Sequence, residues 1–125
     1  MGRAADPPEP LFERIVAAKA NALIVQGSLI RKEVADLAIR HRLASIAGPS
    51  VWAQLGGFAT YTAHFAEMMR ETAAFVAKIL DGRKPAELPV AFPMRFELGI
   101  NLKTAQAIGL EVPATIMGRA DQVIE

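Results

Sequence analysis

The 125-residue chain has no cysteine, which excludes disulfides, thiolate metal sites and a cysteine nucleophile. Reducing and oxidising compartments both accept such a chain. It lacks a surplus of charge. Fourteen Lys and Arg against 13 Asp and Glu leave a formal net charge of +1, too little field to steer nucleic acid or an anionic membrane. The densest basic group, Arg31, Lys32, Arg40 and Arg42, is interleaved with Glu33 and Asp36 and reads as the solvated face of a helix. No apolar run approaches the ~20 residues needed to span a bilayer. Met1 to Pro10 holds Asp6, Pro7, Pro8, Glu9 and Pro10 but no apolar h-region, so it does not read as a signal peptide. On that reading the protein is cytoplasmic if Met1 is its true start.

What is present is one domain's length of chain with 52% hydrophobic residues. That is slightly rich for a free-standing domain without a membrane segment, and suggests surface that expects a partner or a further lobe. Residues 1–9 read as a disordered leader and residues 10–125 as the folded part. Pro10 suits the first turn of a helix, with Leu11, Ile15 and Ala18 on one face to about Lys19. Ala22 to Val25 is a short, wholly apolar run bounded by Gln26-Gly27-Ser28, as in a buried parallel strand. Ser28 is placed to cap a second helix with Ile30, Val34, Leu37 and Ala38 inward. Leu43 to Ala47 is a second strand, stopped by Gly48-Pro49. This order gives βαβ units of an α/β fold with a parallel sheet.

Ser50 to Leu55, with Trp52, forms a short helix or turn before Gly56-Gly57, and Phe58 to Tyr61 alternates as a strand. A long helix from about Ala63 to Leu80 repeats Phe65, Met68, Met69, Thr72, Phe75, Val76, Ile79 and Leu80 at helical spacing, a stripe expected to pack in a core. Gly82 closes it. Beyond Pro85, the proline-interrupted stretch up to Asn101 reads as chain crossing between units, not as a central strand. Leu102 to Ile108 is a helix closed by Gly109, and Pro113 to Ile124 holds another.

No catalytic constellation holds. Gly48-Pro49-Ser50-Val51-Trp52 begins like a nucleophile elbow but puts Trp where the second glycine belongs. Neither glycine-rich phosphate-cradle pattern occurs. His41 and His64 have no partner at a metal-ligand spacing, and Glu67, Glu71, Glu97 and Asp121 show no acid–base pairing. No metal or other cofactor is implied. Open α/β sheets do place ligands beyond the carboxyl ends of their strands. Gln26-Gly27-Ser28 follows the first strand, and Gly48-Pro49-Ser50 and Trp52 follow the second; then come Gly56-Gly57 and Tyr61. Small residues let backbone N–H groups approach a ligand, and Trp or Tyr supplies an apolar wall with a polar handle. The alternative makes the glycines ordinary turn residues and both aromatics core, and the residues leave the two readings open.

The C-terminal third, Phe96-Glu97-Leu98-Gly99-Ile100-Asn101-Leu102-Lys103-Thr104-Ala105, then Gly109-Leu110, Pro113 and Arg119 to Glu125, resembles the closing segment of a bacterial ABC-transporter substrate-binding family that includes tryptophan and tyrosine uptake proteins. The resemblance extends upstream through Lys84 to Val90, Gly56 to Tyr61, Leu37 to Leu43 and Asn21 to Val25. It implies the type I periplasmic-binding fold, represented by its last ~120 residues only, as domain size also suggests. It further implies capture of a small solute between two lobes that close on a hinge, an ABC permease as partner, a periplasmic or cell-surface location, and no enzymatic activity. The candidate ligand-binding positions are Gln26, Gly27, Ser28, Trp52, Gly57 and Tyr61; of these the resemblance carries over Gly57 and Tyr61 as residues, and Gln26 and Ser28 by position alone. The family has Gly-Asp-Pro where this chain has Gly27-Ser28-Leu29, Leu-Pro-Ala-Ile-Tyr where it has Leu43 to Ala47, and glycine where it has Thr62; these departures bear on which solute is bound. The implied solute is an amino acid or related small molecule. The alternative is a truncated module that binds nothing tightly and self-associates through the surface left by a missing lobe.

Overall fold

In the computed structural model, which describes residues 7–125, the chain forms two compact units. One comprises the chain up to Thr62 together with Glu97–Glu125, and the other runs from Ala63 to Phe96. Of the leader expected over residues 1–9, residues 1–6 lie outside the described residues, and Glu9 is already helical.

The first unit starts with α1 (Glu9–Ala17), where Pro10 occupies the first turn and Phe12 is buried. Proline is suited there because that turn needs no N–H and its φ is already helical. Next come β1 (Ala22–Val25) and α2 (Lys32–Arg40). The inward stripe of α2 is Val34, Ala35, Leu37 and Ala38, and His41 at its end stacks on Phe12 with ring centroids 5.8 Å apart. Ser28 does not cap this helix. Gly27–Leu29 forms a 3-10 turn, Leu29 and Ile30 pack against the core, and the helix starts only after an extended Arg31. Apolar packing by two residues outweighs a cap that no amide is placed to use.

β2 (Ala44–Ala47), α3 (Val51–Gln54) and β3 (Ala59–Ala63) follow, and later β4 (Phe96–Asn101), α5 (Leu102–Ile108), α6 (Ala114–Met117) and β5 (Gln122–Ile124). The strands form one sheet in the order β1-β2-β3-β4-β5. β1 pairs with β2 in parallel, Val25 beside Ala47, and β2 with β3, Ala47 beside Thr60. β4 pairs with β5 in parallel. Between β3 and β4 the partners advance in opposite senses. Asn101 N–H donates to Phe58 O at 2.9 Å, while Gly99 lies against Thr60, so this one pair is antiparallel.

The main core gathers Phe12, Val25, Val34, Leu37, Leu43, Ala47 and Trp52. β4 is thus an interior strand, contrary to the sequence expectation of a mere crossing segment. The breakers Pro89 and Pro93 precede Phe96, and the strand itself is free of proline. The final segment also holds strand β5 besides a helix, a run too short to show a period.

The second unit is α4 (Phe65–Leu80) with the return segment that follows it. His64 caps the helix: its Nδ1 accepts from Glu67 N–H at 3.2 Å, satisfying one of the amides that a helix start leaves open. No residue of α4 is buried. Phe65, Met68, Met69, Val76, Ile79 and Leu80 stay exposed, as do Val90, Phe92 and Met94. The stripe expected to be core is therefore uncovered in this chain. Helical spacing shows that a face needs a partner, not where the partner is. No helix among the described residues is long and apolar enough to cross a membrane.

Candidate functional site

Strand register decides which loops can meet. Val25, Ala47 and Thr60 lie side by side across β1, β2 and β3. One step further along three parallel strands come Gln26, Gly48 and Tyr61, which form the next row at the carboxyl edge of the sheet. Gln26, Gly27 and Ser28 are exposed there. Tyr61 is 53% exposed, so it is a surface side chain and not core.

Trp52 is different. It is 0% exposed and belongs to the core cluster, so its ring packs the interior and offers no wall to a ligand. Gly57 follows from this. A Cβ there would overlap the Trp52 indole, so the missing side chain makes room for Trp52, and Gly56 before it turns the chain at φ +102°, a conformation that favours glycine. Of the six sequence candidates, the row thus brings Gln26, Gly27 and Ser28 to the same edge as Tyr61, while Trp52 and Gly57 pack against each other beneath it.

The opposite, amino end of β3 is held by a network that sequence reading missed. Asn101 and Thr104 are buried polar residues. Asn101 Nδ2 donates to Ala53 O at 2.8 Å, its Oδ1 accepts from Thr104 N–H at 2.9 Å, and Thr104 Oγ1 donates to Gly56 O at 2.9 Å. Asn101 thereby caps α5 and ties it to α3, while Thr104 ties it to the Gly56-Gly57 turn that feeds β3. Ser45 Oγ accepts from Phe58 N–H at 3.3 Å just before β3. Buried polar groups are tolerated only when so satisfied. The Asn-x-x-Thr spacing at the end of a strand was the available signal, since it matches a helix cap.

At the carboxyl end of β3 a recess of about 100 Å³ is lined by Ser50, Thr60, Thr62, Glu97, Leu98, Gly99, Asp121 and Gln122. Thr60 and Thr62 share a face because strand side chains alternate. The Asp121 carboxylate accepts from Leu98 N–H at 2.8 Å and Asp121 N–H donates to Leu98 O at 2.8 Å, so this acid fastens β5 beside β4. The recess offers hydroxyls, an amide and carboxylates. Its volume is well below the roughly 300–1,000 Å³ of complete small-molecule sites. Among the described residues no group of three His, Asp or Glu is placed to hold a metal ion.

The chain is matched over residues 15–124 by the family profile described as ABC transporter substrate binding protein. No curated protein matches it. Among solved structures, a conserved domain protein from Vibrio cholerae aligns with a TM-score of 0.82 at 22% identity, over 97% of this chain and 42% of that one. An ABC domain from Streptococcus pneumoniae, solved in complex with L-Trp, aligns at 0.80 and 20% identity over 99% of this chain and 44% of that one. A substrate-binding protein with adhesive properties from Clostridium difficile, in a ligand-free, open structure, aligns at 0.68 and 21% identity, over 94% and 41%. The chain therefore spans less than half the length of these solved proteins, and its fold is the periplasmic-binding-like α/β fold of that shared portion. Matched along nearly its whole length by one family of non-enzymatic binding proteins, the chain belongs to the ABC transporter substrate binding protein family.

Proposed function

We propose that this chain supplies one wall of a solute-binding cleft serving an ABC uptake transporter, with an amino acid or related aromatic compound as the solute. The observation that carries the reading is the row of Gln26, Gly48 and Tyr61 at the carboxyl edge of three parallel strands, the position where open α/β sheets receive ligands. Gln26, Gly27 and Ser28 offer exposed polar groups at one end of the row, and Tyr61 offers a half-open aromatic face at the other. Ser50, Thr60 and Thr62 add hydroxyls in the adjoining recess. The Streptococcus pneumoniae protein was solved with L-Trp, which supports an aromatic amino acid as the first solute to try. Ser28, where the family has aspartate, removes a fixed negative charge and points to a solute whose amine is recognised less strongly.

The permease of the transporter is the protein partner in this reading, and the place of action is outside the cytoplasm, where the family normally works. Calorimetry on the chain with L-Trp, L-Tyr and L-Ala tests it. Weak binding that favours the aromatic solutes supports the wall; equal heats for all three count against it.

A second reading has its own observation. The uncovered stripe of α4 and the return segment suits a module that associates through exposed apolar surface. Sedimentation across a wide concentration range separates the two: a clean monomer with solute binding leaves only the first.

A further inference from the structure

We infer that the recess at the carboxyl end of β3 receives the protonated amine of the solute, so that the chain selects solutes carrying a primary ammonium. The inference rests on the cleft reading and names the head group that this part of the wall takes. The recess is lined by two carboxylates, Glu97 and Asp121, and three hydroxyls, Ser50, Thr60 and Thr62, with no Lys, Arg or His. An ammonium has only donors and no acceptor, so it matches a lining of acceptors with negative charge, whereas a solute carboxylate is repelled. Ser28 brings no charge to the Gln26 end, so the counter-charge for an amine lies here.

Acid pairs are common on protein surfaces; Thr60 sets this one apart. It is 3% exposed, and among the described residues its hydroxyl has no hydrogen-bond partner. A buried hydroxyl left unpaired costs the folded chain, and a donor entering the recess removes that cost. A Cβ on Gly99 would overlap Thr60 Oγ1, so the glycine keeps open the space that the hydroxyl faces. Asp121 commits Oδ2 to Leu98 N–H at 2.8 Å, which holds the carboxylate in place and leaves Oδ1 to a ligand. A volume of about 100 Å³ is roughly three waters' share of the liquid, room for a head group and not for a whole aromatic solute. With two carboxylates and, among the described residues, no group of three His, Asp or Glu able to hold a metal ion, the lining suits a hydrogen-bonding cation better than a divalent one.

The test titrates the isotopically labelled chain with L-Trp, tryptamine and indole-3-propionate, which share the indole while only the first two carry an ammonium. L-Trp and tryptamine should shift the amides of Leu98, Gly99 and Gln122. Indole-3-propionate should leave these unmoved while still shifting Gln26, Gly27, Ser28 and Tyr61. Thr60→Val keeps the side chain's shape and removes the hydroxyl; Asp121→Asn keeps an acceptor for Leu98 N–H and removes the charge. Each should raise the L-Trp midpoint at least about fivefold, as loss of a hydrogen bond to a charged group does. Thr60→Val should melt no lower than the parent, because the hydroxyl it removes is unpaired there. Shifts at Gln26, Gly27, Ser28 and Tyr61 with all three solutes, and none at Leu98, Gly99 and Gln122, overturn the inference and leave the cleft standing. L-Trp midpoints unchanged in both variants also overturn it. If no solute shifts any of these amides, the cleft reading itself falls and the inference falls with it.

Discussion

Trp52 and Tyr61 are the chain's only tryptophan and tyrosine, and both follow a glycine-bearing turn, yet they serve opposite ends of the energy balance. Trp52 is enclosed and Tyr61 half open. Trp52→Ala should therefore cost ~3–5 kcal/mol of folding free energy, as large aromatic truncations in cores do, whereas Tyr61→Ala should stay within about 1 kcal/mol. Thermal melts of the two variants check this, and equal losses would contradict the placement of the site. Asn101 makes a third test. Replacing it with alanine strands Ala53 O and Thr104 N–H, at about 1–3 kcal/mol for each buried group left unpaired, so Asn101→Ala should rival Trp52→Ala in a urea melt although it removes few atoms. Sequence reading could not separate the two aromatics, because residue type alone does not tell which face of a turn a ring occupies. The register did, through the row that begins at Gln26. Neither could it foresee that Gly57 leaves the room that the Trp52 indole fills.

At the scale of elements, the strands were legible wherever an apolar run was short and bounded by glycine or proline, as at Ala22–Val25. The place of β4 in the sheet was not, because nearby prolines masked a proline-free strand. The first cap failed at Ser28, where Leu29 and Ile30 pack and delay the helix. α4 was readable as a helix but not as an exposed one. Its stripe, with the return segment through Val90, Phe92 and Met94, leaves most of the large exposed apolar side chains in the second unit. The parent chain should consequently self-associate or be poorly soluble. Met69→Glu combined with Ile79→Glu should raise the solubility limit and shift sedimentation toward monomer, with a change in melting temperature of only a few degrees, since neither side chain is buried. A parent chain that sediments as a compact monomer at all concentrations would contradict this.

For the whole molecule, the family and the α/β order were readable from the tail motif and the βαβ pattern, while the geometry of the cleft was not, because it depends on register. The central claim is that this chain carries one wall of a solute cleft, with Gln26, Gly27, Ser28 and Tyr61 along its edge. One wall lacks the contacts and the closure that exclude water, so affinity should be no tighter than millimolar, ~4 kcal/mol. The most direct measurement is a titration of the isotopically labelled chain with L-Trp, followed by amide chemical shifts. The expected result is saturable shifts at Gln26, Gly27, Ser28 and Tyr61 with a millimolar midpoint, lost in Tyr61→Ala. Micromolar binding by the chain alone, or shifts confined to the face of β1 and β2 around Ile24 and Ile46, would contradict it.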